Sequence, residues 1–411
     1  MEKLIVENFV SIRKVEIKLN KINILIGPQA AGKSLLAKLI AFIKDIHDIT
    51  TDYISGDKNN NNSYESLLEF RFKRIFPVYT WEKKSFNIDY CNNKFSFKIY
   101  NKNAKLNFTF SDPKFSENVE EAIKQLNIDS NQNDFKGYIK RRSFSNFYAK
   151  RTLGLHSEKP LYIPAGRSFF SGLQKSIFKL SRDDINIDYF ISKFANDYGM
   201  TKSCIELGIS EPTNLPDRVE KITNELLKGK IEIDNDEEWI INKNSRIRSE
   251  HTSSGQQELI PMVSILTFWP FTTSQDGYTD FIIEEPEAHL FPVAQKGIIS
   301  LISIAYNHAK EANFTIITHS PYIVSSINNL ILASNIIKNS PSKRNKINEI
   351  IKDEEIVDFD DVSAYLINDG IAHDILDKKE KLINADFIDD ISNTISKDFG
   401  KLLGHDFKAL I

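Results

Sequence analysis

The chain has 411 residues, 41% hydrophobic and 27% charged, and its 53 basic against 56 acidic side chains leave a formal net charge of -3. That composition excludes a mainly disordered chain and a collagen, and the small net charge means that contact with nucleic acid would need a local basic patch. No apolar run approaches the ~18 residues of a membrane helix, and two cysteines, Cys91 and Cys204, are too few for a disulfide framework or a cysteine-rich zinc site.

The length corresponds to two or three domains' worth of chain. The N-terminus runs straight into a strand-like pattern with no secretory signal, so a reducing cytoplasm and no membrane are expected. Residues 3–8 are a short apolar stretch, and residues 12–19 alternate through Ile12, Val15, Ile17 and Leu19. Residues 22–26 are a near-continuous apolar run, as in a strand buried on both faces. Residues 33–44 carry apolar side chains at helical spacing. Residues 50–64, with an asparagine tract, read as an exposed loop. Three alternating stretches between Phe86 and Phe110 predict an antiparallel meander. Residues 115–155 read as helical and become basic, and residues 159–165 return to a short strand. Residues 183–229 are mostly helical and residues 230–248 alternate again. Beyond them come a helix to about Phe268, strands at 280–283 and 313–317 with a helix after each, a β-hairpin around 357–376 and a helix over 386–403.

Three segments carry chemistry. Gly27-Pro28-Gln29-Ala30-Ala31-Gly32-Lys33-Ser34 has the spacing of a phosphate-binding loop between a buried strand and an apolar helix. The glycines let successive N–H groups turn inward, and the helix start adds its positive dipole end. Lys33 supplies a mobile charge for the β- and γ-phosphates of ATP, and Ser34 a hydroxyl for Mg²⁺. The strand at 281–283 ends in Glu284-Glu285-Pro286-Glu287, where one carboxylate can hold Mg²⁺ and the next can polarise water. A second strand ends in Thr318-His319-Ser320-Pro321, where His319 can reach a γ-phosphate and Thr318 or Ser320 can cap a helix begun by Pro321.

The fourth segment, Thr252-Ser253-Ser254-Gly255-Gln256-Gln257-Glu258, is a helix start suited to an anion. A plain capping box of Ser254 with Gln257 looks the same, and the two readings are compatible.

In their order along the chain, 27–34, 252–258, 284–290 and 318–321, the four segments resemble the ABC-type ATPase heads of the SMC, RecF and OLD group. Residues 253–258 resemble their signature motif, 284–290 the Walker B and D-loop of OLD-like ATPases, and 318–321 their H-loop. Tyr162-Ile163-Pro164-Ala165-Gly166-Arg167 also resembles a stretch common in such proteins. The resemblance implies an α/β fold, a P-loop ATPase head with a mostly parallel sheet, an antiparallel β lobe and a mixed α+β insert. The head occupies residues 1–50 and 250–411, with a β lobe and basic helical insert at 51–158 and a return strand and helical insert at 159–249. It implies binding and slow hydrolysis of ATP with Mg²⁺, in a dimer or higher oligomer that sandwiches the nucleotide. By motif, Ser34 and Glu284 hold the metal, Glu285 activates water and His319 senses the γ-phosphate. Ser253, Ser254, Gly255 and Gln256 contact nucleotide, Ser253 and Gly255 in the opposite subunit. The Q-loop glutamine of the family is not evident, with Gln125 and Gln132 candidates by position alone.

OLD nucleases continue into a Toprim domain, whereas 91 residues follow Ser320 here and contain no Toprim pattern. The chain therefore resembles stand-alone ATPase components of bacterial anti-phage systems of the Septu and PARIS types, which work beside a separate effector, a nuclease or toxin. The alternative is a DNA-repair or recombination ATPase of the RecF or SMC type acting directly on DNA. Residues 136–151 bear on that choice. Lys136, Lys140, Arg141, Arg142, Lys150 and Arg151 alternate with Phe144, Phe147 and Tyr148, which suits DNA contact, an acidic protein partner, or a helix with one side in a core. The helical segment is expected to project outward from the head.

Overall fold

The computed structural model describes residues 2–56, 63–102, 105–129, 135–153, 159–173, 187–208, 212, 215–234, 237–272, 280–384, 397–399 and 401–402. The helix expected over 386–403 and the asparagine tract lie largely outside these residues. No helix among the described residues is long and apolar enough to cross a membrane.

Strands β1 (Glu2–Phe9) and β2 (Ile12–Leu19) form an antiparallel hairpin, and β3 (Ile22–Ile26) follows with all five residues buried. Helix α1 (Lys33–Ser55) starts at Gly32 and stops at Gly56, whose φ of 74° is one that glycine adopts freely. It is followed by α2 (Tyr64–Ile75), the meander β4 (Asn87–Cys91), β5 (Ser96–Lys102) and β6 (Lys105–Phe110), and helices α3 (Phe115–Asp129) and α4 (Phe135–Leu153). The return strand β7 (Pro160–Ile163) leads to α5 (Ser168–Leu173), α6 (Tyr189–Glu206) and α7 (Asp217–Leu227). A separate three-stranded antiparallel sheet, β8 (Lys230–Asp234), β9 (Glu237–Asn242) and β10 (Ser245–Arg248), runs into α8 (Ser254–Phe268). The last part alternates β11 (Asp280–Glu284), α9 (Pro292–His308), β12 (Asn313–Thr318) and α10 (Pro321–Asn339), then closes with the hairpin β13 (Val362–Asn368) and β14 (Ile371–Asp374).

One 11-stranded sheet, ordered β6-β5-β4-β1-β2-β14-β13-β3-β12-β11-β7, organises the molecule. From β13 to β7 the strands are parallel, and from β6 to β2 they are antiparallel, with β14 as the joint. This is the α/β fold expected, with a parallel half and an antiparallel lobe. Helices cover both faces of the parallel half, which is why its strands read as continuous apolar runs. Leu25, Ile282 and Ile317 face α1 and the lobe, while Ile24, Ile283 and Ile316 face α8, α9 and α10.

Two expectations need correction. Helix α1 does not end near residue 44 but continues to Ser55, so residues 50–55 are helix and not loop. The added turns bury Asp45, His47, Thr50 and Thr51, polar residues that an apolar periodicity does not count. Asp45 is held by Arg71 at 2.9 Å and Lys193 at 2.5 Å, so partners far along the chain make its burial tolerable. The basic helix α4 likewise packs along α1. Arg142 meets Asp52 at 2.8 Å and Asp48 at 3.4 Å, Ala149 and Leu153 are buried, and Phe144 and Tyr148 lie against the core. Phe147 and Arg151 are exposed, whereas the side chains of Lys136, Lys140 and Lys150 lie outside the described residues.

Candidate active site

The carboxyl ends of β3, β12, β11 and β7 point the same way, because the strands are parallel, and each ends in a polar segment. Parallel α/β sheets bind ligands at that edge.

After β3 the loop of residues 27–32 turns through positive φ at Ala30 (60°) and Gly32 (102°) and delivers Lys33 and Ser34 to the first turn of α1. A side chain at Gly27 is impossible, since its Cβ would stand 2.0 Å from the carbonyl oxygen of Ile367 in β13. Lys33 Nζ donates to the carbonyls of Gly27 (2.8 Å) and Pro28 (2.7 Å). Burial pushes its ammonium below the ordinary value, against the pull of the Glu285, Glu287 and Glu284 carboxylates. Pro28, Gln29, Ala30 and Ser34 are exposed, and Ala31 is buried. A cleft of about 630 Å³ beside the loop is lined by Ser11, Arg13, Pro28, Gln29, Ala30 and the turn between β13 and β14.

Glu284 is the last residue of β11 and is buried, and its Oε1 has no hydrogen-bond partner among the described residues. Strand register puts Tyr162 of β7 on the same face, paired with Ile282 two residues before Glu284. The Tyr162 hydroxyl is buried beside that carboxylate, and burial, then the charge and hydrogen-bonding pull of Glu284, raise its pKa well above the phenolic norm. A buried carboxylate near a phosphate-type loop suits a hard cation such as Mg²⁺.

Glu285 has a φ of 43°, unusual for a non-glycine residue, and its N–H donates to Ile317 at 2.8 Å. Its half-exposed carboxylate lies 3.7 Å from His319 Nδ1. Glu287, which the sequence marked only as part of an acidic run, organises the histidine. Its buried Oε1 accepts from the Thr318 hydroxyl (2.6 Å) and the His319 N–H (2.9 Å) and lies 3.5 Å from His319 Nδ1. Ser320 then caps α10, with Pro321 as its first residue.

The start of α8 differs from the expected box. Ser253 is the cap and Gln256 its partner: Gln256 N donates to Ser253 Oγ (3.3 Å) and Ser253 N to Gln256 Oε1 (3.1 Å). Gln257 instead donates to the carbonyls of Glu250 and Thr252. Ser253 and Ser254 are exposed, and Gly255 sits where a Cβ would come 3.1 Å from the His289 carbonyl.

The structure therefore gathers Lys33, Glu284, Glu285 and His319 at one edge. It presents Ser253 and Ser254 at the surface, joined to that edge through Arg167. The fully buried Arg167 donates to the carbonyls of Glu284 (2.7 Å) and Glu285 (3.0 Å) and to that of Glu258 (3.2 Å) in α8. Sequence reasoning assigned it no role. Gln132 and the side chain of Gln125 lie outside the described residues.

Among solved structures, the chain is similar to an SMC head bound to the C-winged helix domain of ScpA, at 13% identity, 92% coverage of this chain, 99% of that chain and a TM-score of 0.45. It is similar to the SMC head domain from Thermotoga maritima at 10% identity, covering 91% of this chain and 97% of that chain with a TM-score of 0.39. The recombination mediator RecF matches at 12% identity, with 91% and 97% coverage and a TM-score of 0.33. No curated protein sequence matches. Residues 1–324 match the AAA ATPase domain, so the chain belongs to that P-loop ATPase family.

Proposed function

We propose that this ATPase binds Mg²⁺·ATP at the edge formed by Lys33, Ser34, Glu284, Glu285 and His319, and hydrolyses it slowly. The observation that carries the reading is geometric: Lys33, folded back on the Gly27 and Pro28 carbonyls, follows β3, and the neighbouring parallel strands β12 and β11 end at the same edge in His319 and in Glu284 and Glu285. Phosphate oxygens would take the place of the Gly27 and Pro28 carbonyls on the Lys33 ammonium. Ser34 and Glu284 would hold the metal, which neutralises developing phosphate charge. Glu285, held by the Ile317 carbonyl and next to His319, orients water.

The reading includes pairing of two copies, with Ser253, Ser254, Gly255 and Gln256 of one contacting nucleotide on the other. Phe291, Val293 and Tyr322, in or next to the first turns of α9 and α10, are 78%, 76% and 53% exposed, which suits a face covered by another copy. The output is a separate effector protein, a nuclease or toxin, in anti-phage defence. The motif spelling supports this, and the docking of α4 against α1 leaves less of its basic face for DNA.

Lys33→Ala is expected to lose ATP binding. Glu285→Gln is expected to bind ATP and hydrolyse it at least ~100-fold more slowly, as for loss of a general base. Equilibrium binding of a fluorescent ATP analogue and phosphate release measure the two. Wild-type turnover by Glu285→Gln beside a dead Glu284→Gln would reverse the two assignments.

A further inference from the structure

Arg167 connects two segments that the pairing model assigns to different nucleotides. Gly166, with a φ of 72°, ends the turn after β7 and sends the Arg167 side chain inward, where it is fully buried. Its guanidinium donates to four carbonyls: Pro164 (2.8 Å), Glu284 (2.7 Å), Glu285 (3.0 Å) and Glu258 (3.2 Å). The Glu258 carboxylate in turn accepts from the N–H groups of Arg167 (2.9 Å) and Ser168 (3.1 Å) and lies 3.6 Å from Arg167 Nε. The Ser171 hydroxyl adds a bond to the carbonyl of Gln257. Glu258 stands on α8 five residues after the cap Ser253, and it is as buried as Arg167.

A buried guanidinium is costly unless it is paired and hydrogen-bonded, and its planar fork holds several acceptors in one fixed geometry where an ammonium is a rotatable point charge. Its partners include the backbone of both candidate catalytic carboxylates. Glu285 itself sits at a φ of 43°, a conformation that a side-chain-bearing residue keeps only where the surroundings impose it. Arg167 is among those surroundings, and so, through it, is the start of α8.

We propose that Arg167 is a positioning residue that couples the Ser253 end of α8 to Glu284 and Glu285. The inference rests on the ATPase reading above. Movement of the α8 start against a phosphate would be carried by Glu258 and Arg167 to the carbonyls that set where the two carboxylates point. Arg167 is fully buried and acts through its hydrogen-bond partners. Its effect belongs to turnover and not to ATP affinity.

The test is a double-mutant cycle of Arg167→Lys and Glu258→Gln, read as kcat for ATP and as the dissociation constant of a fluorescent ATP analogue. Arg167→Lys keeps the charge and loses the fork. It is expected to lower kcat about tenfold or more, with analogue affinity within about threefold of the parent. Glu258→Gln is expected to lower kcat in the same sense, and the double variant to be no slower than the slower single one. Parental kcat in a folded Arg167→Lys protein overturns the proposal. So does a fall in affinity matching the fall in kcat, or multiplication of the two single effects. Should Arg167→Lys fail to fold, Glu258→Gln alone decides: parental kcat overturns the coupling, and a reduced kcat at unchanged affinity supports it. A parent protein that binds the analogue but never releases phosphate removes the ATPase reading itself, which sets that failure apart from an active parent with indifferent variants.

Discussion

Asp48 lies on the helix that begins at the phosphate loop, and it is uncomfortable there. Burial, and then the charges of Asp52 and Asp45, push its carboxyl up from 3.8 to about 6, although Lys193 and Lys159 pull the other way. Arg142 of α4 also faces it, at 3.4 Å. A carboxyl with a higher pKa in the folded state holds its proton better there than in the unfolded chain, so ionising it costs stability. That cost is absent below about pH 4, grows as the pH rises to about 6, and is fully present above. At 1.36 kcal/mol per pH unit, a shift of roughly two units amounts to ~3 kcal/mol. Asp48→Asn removes the titration and keeps the size. It weakens one contact of Arg142, worth ~0.5 kcal/mol, while the 2.8 Å pair with Asp52 stays. The variant is therefore expected to be ~2 kcal/mol more stable than the parent near pH 8, and equal to it near pH 4. Urea unfolding at several pH values, followed by tryptophan fluorescence, to which buried Trp81 contributes, measures this. A variant less stable than its parent near pH 8, or a difference that does not vary with pH, refutes the reasoning.

Three further outcomes are expected. Gly27→Ala brings a Cβ to 2.0 Å from the Ile367 carbonyl and should cost about 3 kcal/mol or more and abolish ATP binding; parental stability in urea would show that β13 does not seat over the loop. Tyr162→Phe removes a buried hydroxyl beside the Glu284 carboxylate and should cost no more than ~1 kcal/mol; a larger loss would show that the hydroxyl is a strong donor to Glu284. With ATP, Glu285→Gln protein should sediment as a dimer or larger species and Ser253→Arg protein as a monomer; sedimentation as monomers by both would end the pairing model.

The phosphate loop and the two acidic or polar strand ends were legible because their chemistry is local. Glycine spacing, a buried run before it and an apolar helix after it are all properties of adjacent residues. The cap of α8 shows where that stops. Ser253 with Gln256 and Ser254 with Gln257 offer the same side chains at the same spacing, and a remote group, the Leu227 carbonyl bonded by Gln256 Nε2 at 2.7 Å, belongs to the pair that forms. The length of α1 was hidden for a similar reason. Asp45 looks like a surface residue until Arg71 and Lys193 arrive from other helices. Arg167 could be marked by the stretch it ends, but its meaning depends on Glu258, 91 residues on, and on carbonyls, which carry no sequence signal.

The position of β13 bears on how the molecule assembles. The strand that carries the phosphate loop, β3, has β12 on one side and β13 on the other, roughly 290 and 340 residues away in the chain. Such non-local pairings are slow to form, so α1 and the N-terminal hairpin must wait for β12 and β13 before the loop gains its final geometry. A fragment cut at residue 324, where the family match stops, would lack β13 altogether. It would present the apolar edge of β3, with unpaired backbone groups, to any other chain offering a strand. Such a fragment should aggregate where the longer chain does not.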